Sequence, residues 1–471
     1  MVEVAATPPA AVPSSSQPGP ALGSALGPPT PIPRLKGGLP LLGRMLDLGK
    51  DPLAIFQQAI ERHGEVAALP LALGKELVLL SGTEAQQFFF YDADEQLSQK
   101  EAYKFSVPVF GEGVVYDTTP ERMLEQIGFA LPALQDRTMR TYAPKMVQEI
   151  EAFVERLGER GEVDLLEAMK ELSIYIASRC LLGHEIRERL DGEFAHLFVD
   201  LEKGLNPFAF LWPNAPLPAF RRRDKARARL SQLIGGIVEE RIRKGERHDD
   251  MLQCLIDARY SDGAKLTPHE IAGLLIVILF AGHHTSSTTA AWVGVELHRN
   301  PAALEPVLAE VRASVATGKP LDYYAVRSMD HIDWSVKETL RLHPPLIMLM
   351  RGVIQDLRYK SWVFPKGTFL LVSPLASGRL ASVFPDPDAF RPERFAPPDP
   401  VDKIPFAWIP FGGGRHRCRG ISFALNQIKT IWARLLHHFE IELVEQDYPP
   451  DYQAMVVGPK HPARIRYRRI A

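Results

Sequence analysis

Three cysteines in 471 residues are too few for a disulfide framework, and none sits in a Cys-x-x-Cys or paired-histidine spacing that would hold zinc. A reducing compartment suits such a chain. An excess of charge of one sign is also missing: the formal net charge is −2, which gives no reason to expect a nucleic-acid partner. No phosphate loop and no dinucleotide fingerprint occurs, so cofactor chemistry does not rest on nucleotide binding. No internal repeat is visible. The longest apolar run, Ile271–Gly282, falls well short of the roughly 20 residues needed to span a bilayer. Residues Met1–Pro33 hold nine prolines and no basic residue, so they lack the charged start and apolar block of a secretory signal. They read as a disordered Pro/Ala-rich tail, residues 1–33, ahead of one domain over 34–471.

What is present is mainly helix. Apolar residues recur at three- and four-residue spacing over Pro52–His63, Ala143–Glu159, Leu165–Leu182, Asp224–Lys244, Met251–Ala258 and Ala302–Thr317. Strands are fewer: Val66–Leu73 with Glu76–Leu80 reads as a hairpin, and Leu357–Val363 with Phe369–Val372 and Glu440–Val444 with Ala463–Tyr467 read as smaller pairs. The longest helix opens on Thr267-Pro268-His269-Glu270, a capping box with proline at the first helical position, and continues to Arg299 before Asn300-Pro301 stops it. At 1.5 Å per residue it spans roughly 48 Å, the width of a domain, so it is expected to be central. Midway, Phe280-Ala281-Gly282-His283-His284-Thr285 sets small residues beside hydroxyl and imidazole groups. Small residues leave room for a ligand, and a glycine near a threonine invites local opening of the helix. A core helix with two tolerated histidines is the plainer reading of that segment alone. Cys180 and Cys254, in helical apolar runs, read as small core residues.

Near the C-terminus Phe411-Gly412-Gly413-Gly414-Arg415-His416-Arg417-Cys418-Arg419-Gly420 runs into the apolar helix Ile421–Leu436. Glycines permit a tight fold around the sulfur, and neighbouring cations with a helix N-terminus favour a thiolate. A lone cysteine could instead simply cap a helix. Phe411, Gly414, His416, Cys418 and Gly420, however, stand where the cysteine-ligand loop of the cytochrome P-450 family has its defining residues, and the segment resembles that loop. The resemblance implies a mainly α fold with small β-sheets (α+β), a single helix-rich domain with its long helix over haem b. Cys418 would be the thiolate ligand to iron, pushing electron density that favours O–O cleavage. Dioxygen would be co-substrate, and electrons would come from another protein, since no flavin or iron–sulfur module is present.

The segment Ala281-Gly282-His283-His284-Thr285-Ser286-Ser287 resembles one branch of that family, the sterol 14α-demethylases, with His284 where many members carry a carboxylate. The branch implies three successive oxidations at the 14α-methyl carbon of a sterol, ending in loss of formic acid. Thr285, His284 and Glu202 would deliver protons. The aromatic loop from Tyr103 to Tyr116 resembles the branch's substrate-covering segment. Phe105, Phe110, Phe280, Ala281, Leu346 and Met455 would line the sterol cavity; Tyr103, Arg351 and His416 would meet the haem propionates. Leu124 stands where a basic residue is common, and Arg122 would substitute for it. Glu338, Arg341 and Arg394 match the family's structural ion network. Arg415, Arg417, Arg419, Lys429 and Arg434 would form a basic face for an acidic ferredoxin. Lacking the membrane anchor of eukaryotic members, the chain is expected to be a soluble, bacterial-type cytoplasmic monomer. Two rivals stand beside this reading: a same-fold monooxygenase acting on another bulky lipid, such as a steroid or fatty acid, and a non-catalytic haem-thiolate sensor.

Overall fold

In the computed structural model, Thr267 starts a single unbroken helix, Pro268–Arg299, of 32 residues. The expected capping box is formed: Thr267 Oγ1 accepts from Glu270 N (3.2 Å), and the Glu270 carboxylate accepts from Thr267 N (2.8 Å). The described residues are 28–470 apart from 40–41, 184–186, 188–192, 194, 206–208, 210–211, 246 and 317–321. Most of the expected tail, residues 1–27, therefore lies outside them. From Thr30 the chain is tied down, because Thr30 N donates to Ser361 O (2.8 Å) and Pro33 O accepts from Ala68 N (2.8 Å).

Helices Leu165–Ala177, Pro218–Lys244, Asp330–Leu342 and Ile421–His438 pack around this central helix. By length and composition the central helix could cross a membrane, but 72% of its most apolar window is buried inside the protein. It is the spine of the main core cluster. Three helices differ from the sequence reading by more than two residues at an end. Asp136–Leu157 begins seven residues before Ala143 because it carries Pro144 inside it, a residue that normally argues for a start nearby. Pro218–Lys244 begins at a proline in the first turn, where the ring is tolerated. The run to Leu182 ends in a π turn, Ser178–Leu182, after the α-helix stops at Ala177.

Strands β1 (Val66–Pro70) and β2 (Glu76–Leu80) form the expected antiparallel hairpin, Val66 opposite Leu80. The pairing expected for Leu357–Val363 is wrong. β6 (Leu357–Tyr359) turns back at Lys360, φ +53°, onto β7 (Trp362–Phe364), with Tyr359 opposite Trp362. β8 (Phe369–Val372) instead lies parallel to β2, and antiparallel to β5 (Leu349–Val353), which reaches β3 (Leu97–Ser98) at the sheet edge. Its Leu370-Leu371-Val372 run is buried on both faces, which is why it shows no alternation. β9 (Phe439–Leu443) pairs β10 (Arg464–Arg469) as expected, and β10 also pairs β4 (Arg160–Asp164).

Glu338, Arg341 and Arg394 make the structural network. Arg341 donates twice to Glu338 (2.7 Å each), with both side chains fully buried, and Arg394 Nε reaches Glu338 Oε1 at 3.3 Å. Arg341 also donates to the carbonyls of Gly378 (2.6 Å) and Pro387 (2.5 Å), fastening the segment that leads to the cysteine loop.

The central and C-terminal helices meet at Gly294, where a Cβ would collide with the Trp432 ring. That ring cannot swing away easily, since it is fully buried and its Nε1 donates to Ala290 O (2.8 Å). Gly294→Ala is therefore expected to destabilise the fold by about 1–3 kcal/mol through overpacking. Urea unfolding checks this; an unchanged midpoint would show that the helices separate without cost.

Candidate active site

The cysteine loop folds tightly against Phe90. Gly414 has φ +61°, and a Cβ there would strike the Phe90 carbonyl. Gly413 lies beside the Phe90 and Phe406 rings, which stack 6.1 Å apart. Cys418 N donates to Phe411 O (2.9 Å), closing the loop, and Gly420 precedes the helix at Ile421. Cys418 is exposed as a residue, yet its thiol is desolvated by surrounding protein atoms. Desolvation pushes its thiol up, outweighing the Gly420 N–H, Arg417 and Arg419, which favour the anion. The expected lowering by cations and helix terminus is thus not achieved by the protein alone, because burial is the larger effect.

Beside the loop stands a carboxylate that the sequence reading missed. Asp94 Oδ1 accepts from Arg351 Nη1 (2.6 Å) and faces His416 Nε2 (3.2 Å), while its other oxygen meets Arg415 Nε. Arg351 also donates to Phe89 O (2.9 Å). Burial raises the Asp94 carboxyl, but His416, Arg351 and Arg415 together hold it below the usual carboxylate range. Nothing in the local sequence around Asp94 signals this role. Arg351 and His416 are brought together as expected; Arg122 is not. Its guanidinium covers the Tyr260 ring at 3.3 Å and pairs with Asp262 (3.2 Å), a nearby partner that satisfies it at the surface.

In the middle of the central helix, Ala281 is exposed although its neighbours on both sides are largely buried, and a Cβ on Gly282 would meet only Leu181 Cδ1, at 3.8 Å. This stretch therefore faces open space. The helix does not open there, contrary to expectation: Thr285 Oγ1 donates to Ala281 O (2.6 Å), supplementing the backbone ladder. His284 Nδ1 lies 3.6 Å from Glu202 Oε1, so the expected pair is assembled across two helices. His284 stacks on Phe198 (6.1 Å) and sits 4.4 Å from the His283 ring. Burial brings His284 down to about 4 and His283 well below the ordinary histidine value, while it raises Glu202.

The aromatic loop closes the space. Tyr103 stacks on Tyr116 (4.9 Å), Phe110 meets Phe280 edge-on (5.9 Å), and Phe280 packs on Phe198 (4.6 Å). Tyr103 Oη accepts from Met350 N (3.4 Å), beside Arg351. Burial, then Tyr103 and Cys418, push the Tyr116 hydroxyl up. Tyr116 ends the recognised loop and was not singled out. Leu346 and Met455 lie on segments joined by the bond from Val457 N to Pro345 O (2.9 Å), and each is more than a third exposed. Phe105 goes elsewhere: it is buried in a small cluster with Ala209 and Phe220.

The basic face is smaller than expected. Lys429 is buried against Asp333 (3.3 Å), and Arg434, half-buried, pairs with Glu151. Among the described residues Arg417 and Arg419 make no ion pair and are exposed.

The cytochrome P450 family model matches residues 33–467. The chain belongs to the cytochrome P450 family. It is 42% identical to a sterol 14-demethylase of Arabidopsis thaliana, covering 93% of this chain and 91% of that one. It is 40% identical to a sterol 14alpha-demethylase of Mycobacterium tuberculosis (93% and 98%) and 37% identical to a lanosterol 14-alpha demethylase of Bos taurus (94% and 90%). Among solved structures, a retinoic acid-bound cyanobacterial P450 superposes with a TM-score of 0.83 at 25% identity, over 95% of this chain and 100% of that one. As a P450 the protein is a haem b monooxygenase with a cysteine thiolate on iron, consuming dioxygen and electrons from a redox partner. The residues fit that group: an exposed cysteine in a glycine turn, buried Arg351 with half-buried His416 for carboxylates, and an uncovered Ala281-Gly282 wall.

Because His284 is held neutral in the folded P450, the unfolded chain binds more protons below pH 6.5. Its stabilising contribution is complete above pH 6.5 and is lost as pH falls towards 4, by up to about 3 kcal/mol. His283 acts in the same direction, and Glu202, being raised, in the opposite one. Urea midpoints measured from pH 7 to 4.5 are expected to fall less steeply in His284→Asn than in the native chain; parallel slopes would refute the buried-neutral assignment.

Proposed function

We propose that this P450 removes the 14α-methyl group of a sterol precursor. The likeness to plant, bacterial and animal sterol 14-demethylases, which runs nearly the whole length of the chain, carries the reading. Haem b, when bound, supplies stepwise oxidation of the methyl carbon to alcohol, to aldehyde and to formic acid, each step using dioxygen and two electrons. Cys418 would hold the iron, with Phe411, Gly414 and Gly420 shaping its loop. Tyr103, Arg351 and His416 would receive the propionates through charge-assisted hydrogen bonds. Phe110, Phe280, Ala281, Leu346 and Met455 would hold the sterol so that only its methyl group faces the iron, a gain of orientation. Phe105 would act one layer back, by supporting Tyr103, whose ring lies 6.0 Å away.

Thr285 would hold a proton donor at its hydroxyl. His284 and Glu202, 3.6 Å apart, would refill it from solvent. A proton-delivery set of this kind has no use in a passive sensor. Electrons would arrive from an acidic ferredoxin at Arg417 and Arg419. The protein would act as a cytoplasmic monomer.

An optical titration of the ferric protein tests the substrate, with retinoic and fatty acids and a 14-desmethyl sterol as controls. A tight high-spin shift confined to 14α-methyl sterols is expected; a spectrum indifferent to sterols would move the substrate to another lipid. Thr285→Ala should keep that shift but, in turnover with a redox partner, lose product formation on the order of a hundredfold. Arg417→Glu with Arg419→Glu should slow reduction by ferredoxin at low salt; an unchanged rate would place the docking face elsewhere.

A further inference from the structure

Asp94 has no place in the chemistry described above, yet it is the junction of the basic groups around the cofactor space. Its side chain is only 10% exposed and meets three cationic groups: Arg351 at 2.6 Å, His416 at 3.2 Å, and Arg415. The bonds made by Arg351 all use Nη1, to Asp94 and Phe89 O, so the guanidinium is clamped by one nitrogen. Among the described residues Nε and Nη2 make no hydrogen bond and remain to serve a ligand. A buried guanidinium without its counter-charge would have to turn or drag in water, and its fork would no longer be set in advance.

We propose that Asp94 is a positioning residue whose carboxylate presets Arg351, His416 and Arg415 to receive the haem propionates and leaves a fixed negative charge beside the proximal loop. This rests on the haem lying between the Cys418 loop and the central helix. Two consequences follow. Removing the charge loosens the cations and speeds haem loss. It also removes a negative potential near the iron, so reduction becomes easier and the potential rises. Arg415 is the accessible member, its side chain 39% exposed, so replacing it should leave the fold intact while unmasking Asp94.

The test uses holoprotein of the native chain and of Asp94→Asn, Asp94→Glu and Arg415→Gln. Haem transfer to apomyoglobin and the ferric/ferrous potential are measured, with the ferrous–CO spectrum as a check on the thiolate. Asp94→Asn is expected to lose haem on the order of tenfold faster, as supporting residues around metal sites do, and to shift the potential upward. Asp94→Glu should restore most of both, and Arg415→Gln should shift the potential downward. Intact thiolate spectra with unchanged transfer rates and potentials, or a lowered melting temperature as the sole effect of Asp94→Asn, overturn the proposal. A native protein lacking the thiolate spectrum overturns the haem placement instead, so the two failures are separable.

Discussion

Burying a 32-residue helix through the middle of the molecule is the constraint from which the remaining architecture follows. Its flanks are apolar, and four helices are drawn onto it by the surface they remove from water. Its centre is polar, and that polarity is contained locally. Thr285 donates to Ala281 O, Ser287 and Thr288 donate to His284 O, and Thr289 donates to Thr285 O. The two histidines remain neutral because burial disfavours their charge. The helix can therefore carry a reactive patch without breaking its ladder, and at Ala281 and its small neighbour Gly282 the adjoining space is left uncovered.

Charge follows the same rule. Three inner cations near the site have a carboxylate: Arg341 with Glu338, Arg351 with Asp94, Lys429 with Asp333; buried Arg227 instead donates to Phe110 O (2.9 Å) and to Ser231. A lone buried charge costs several kcal/mol, so pairing decides which basic residues remain for a partner protein. Arg417 and Arg419 stay outside because the cysteine loop projects them into water. The pairing also fixes the loop from two sides, through Arg341 at the preceding segment and through Arg415 and His416 at Asp94.

Much of this was legible in the chain. The central helix was read to both ends, because a capping box and an Asn-Pro stop act within a few residues of the backbone they control. The β1–β2 hairpin and the β9–β10 pair followed from local patterns. The misreadings share one origin. Arg122 was assigned to the cofactor by its position, but Tyr260 and Asp262 lay nearer in space. β8 was paired with its sequence neighbour, although its continuous apolar run belonged between β2 and β5. Phe105 was read as cavity lining when a packing partner awaited it on helix Pro218–Lys244.

The sequence alone determined helix boundaries set by caps, the glycine turn around Cys418, and the juxtaposition of small and polar residues at 281–285, since each depends on contacts within a turn or two of chain. Tertiary structure decided which charges meet. Asp94 and Arg351 are 257 positions apart, and no spacing rule links them. Only the folded chain brings that carboxylate to that guanidinium, because the free energy of a buried ion pair depends on distance and desolvation in space, not on order along the backbone.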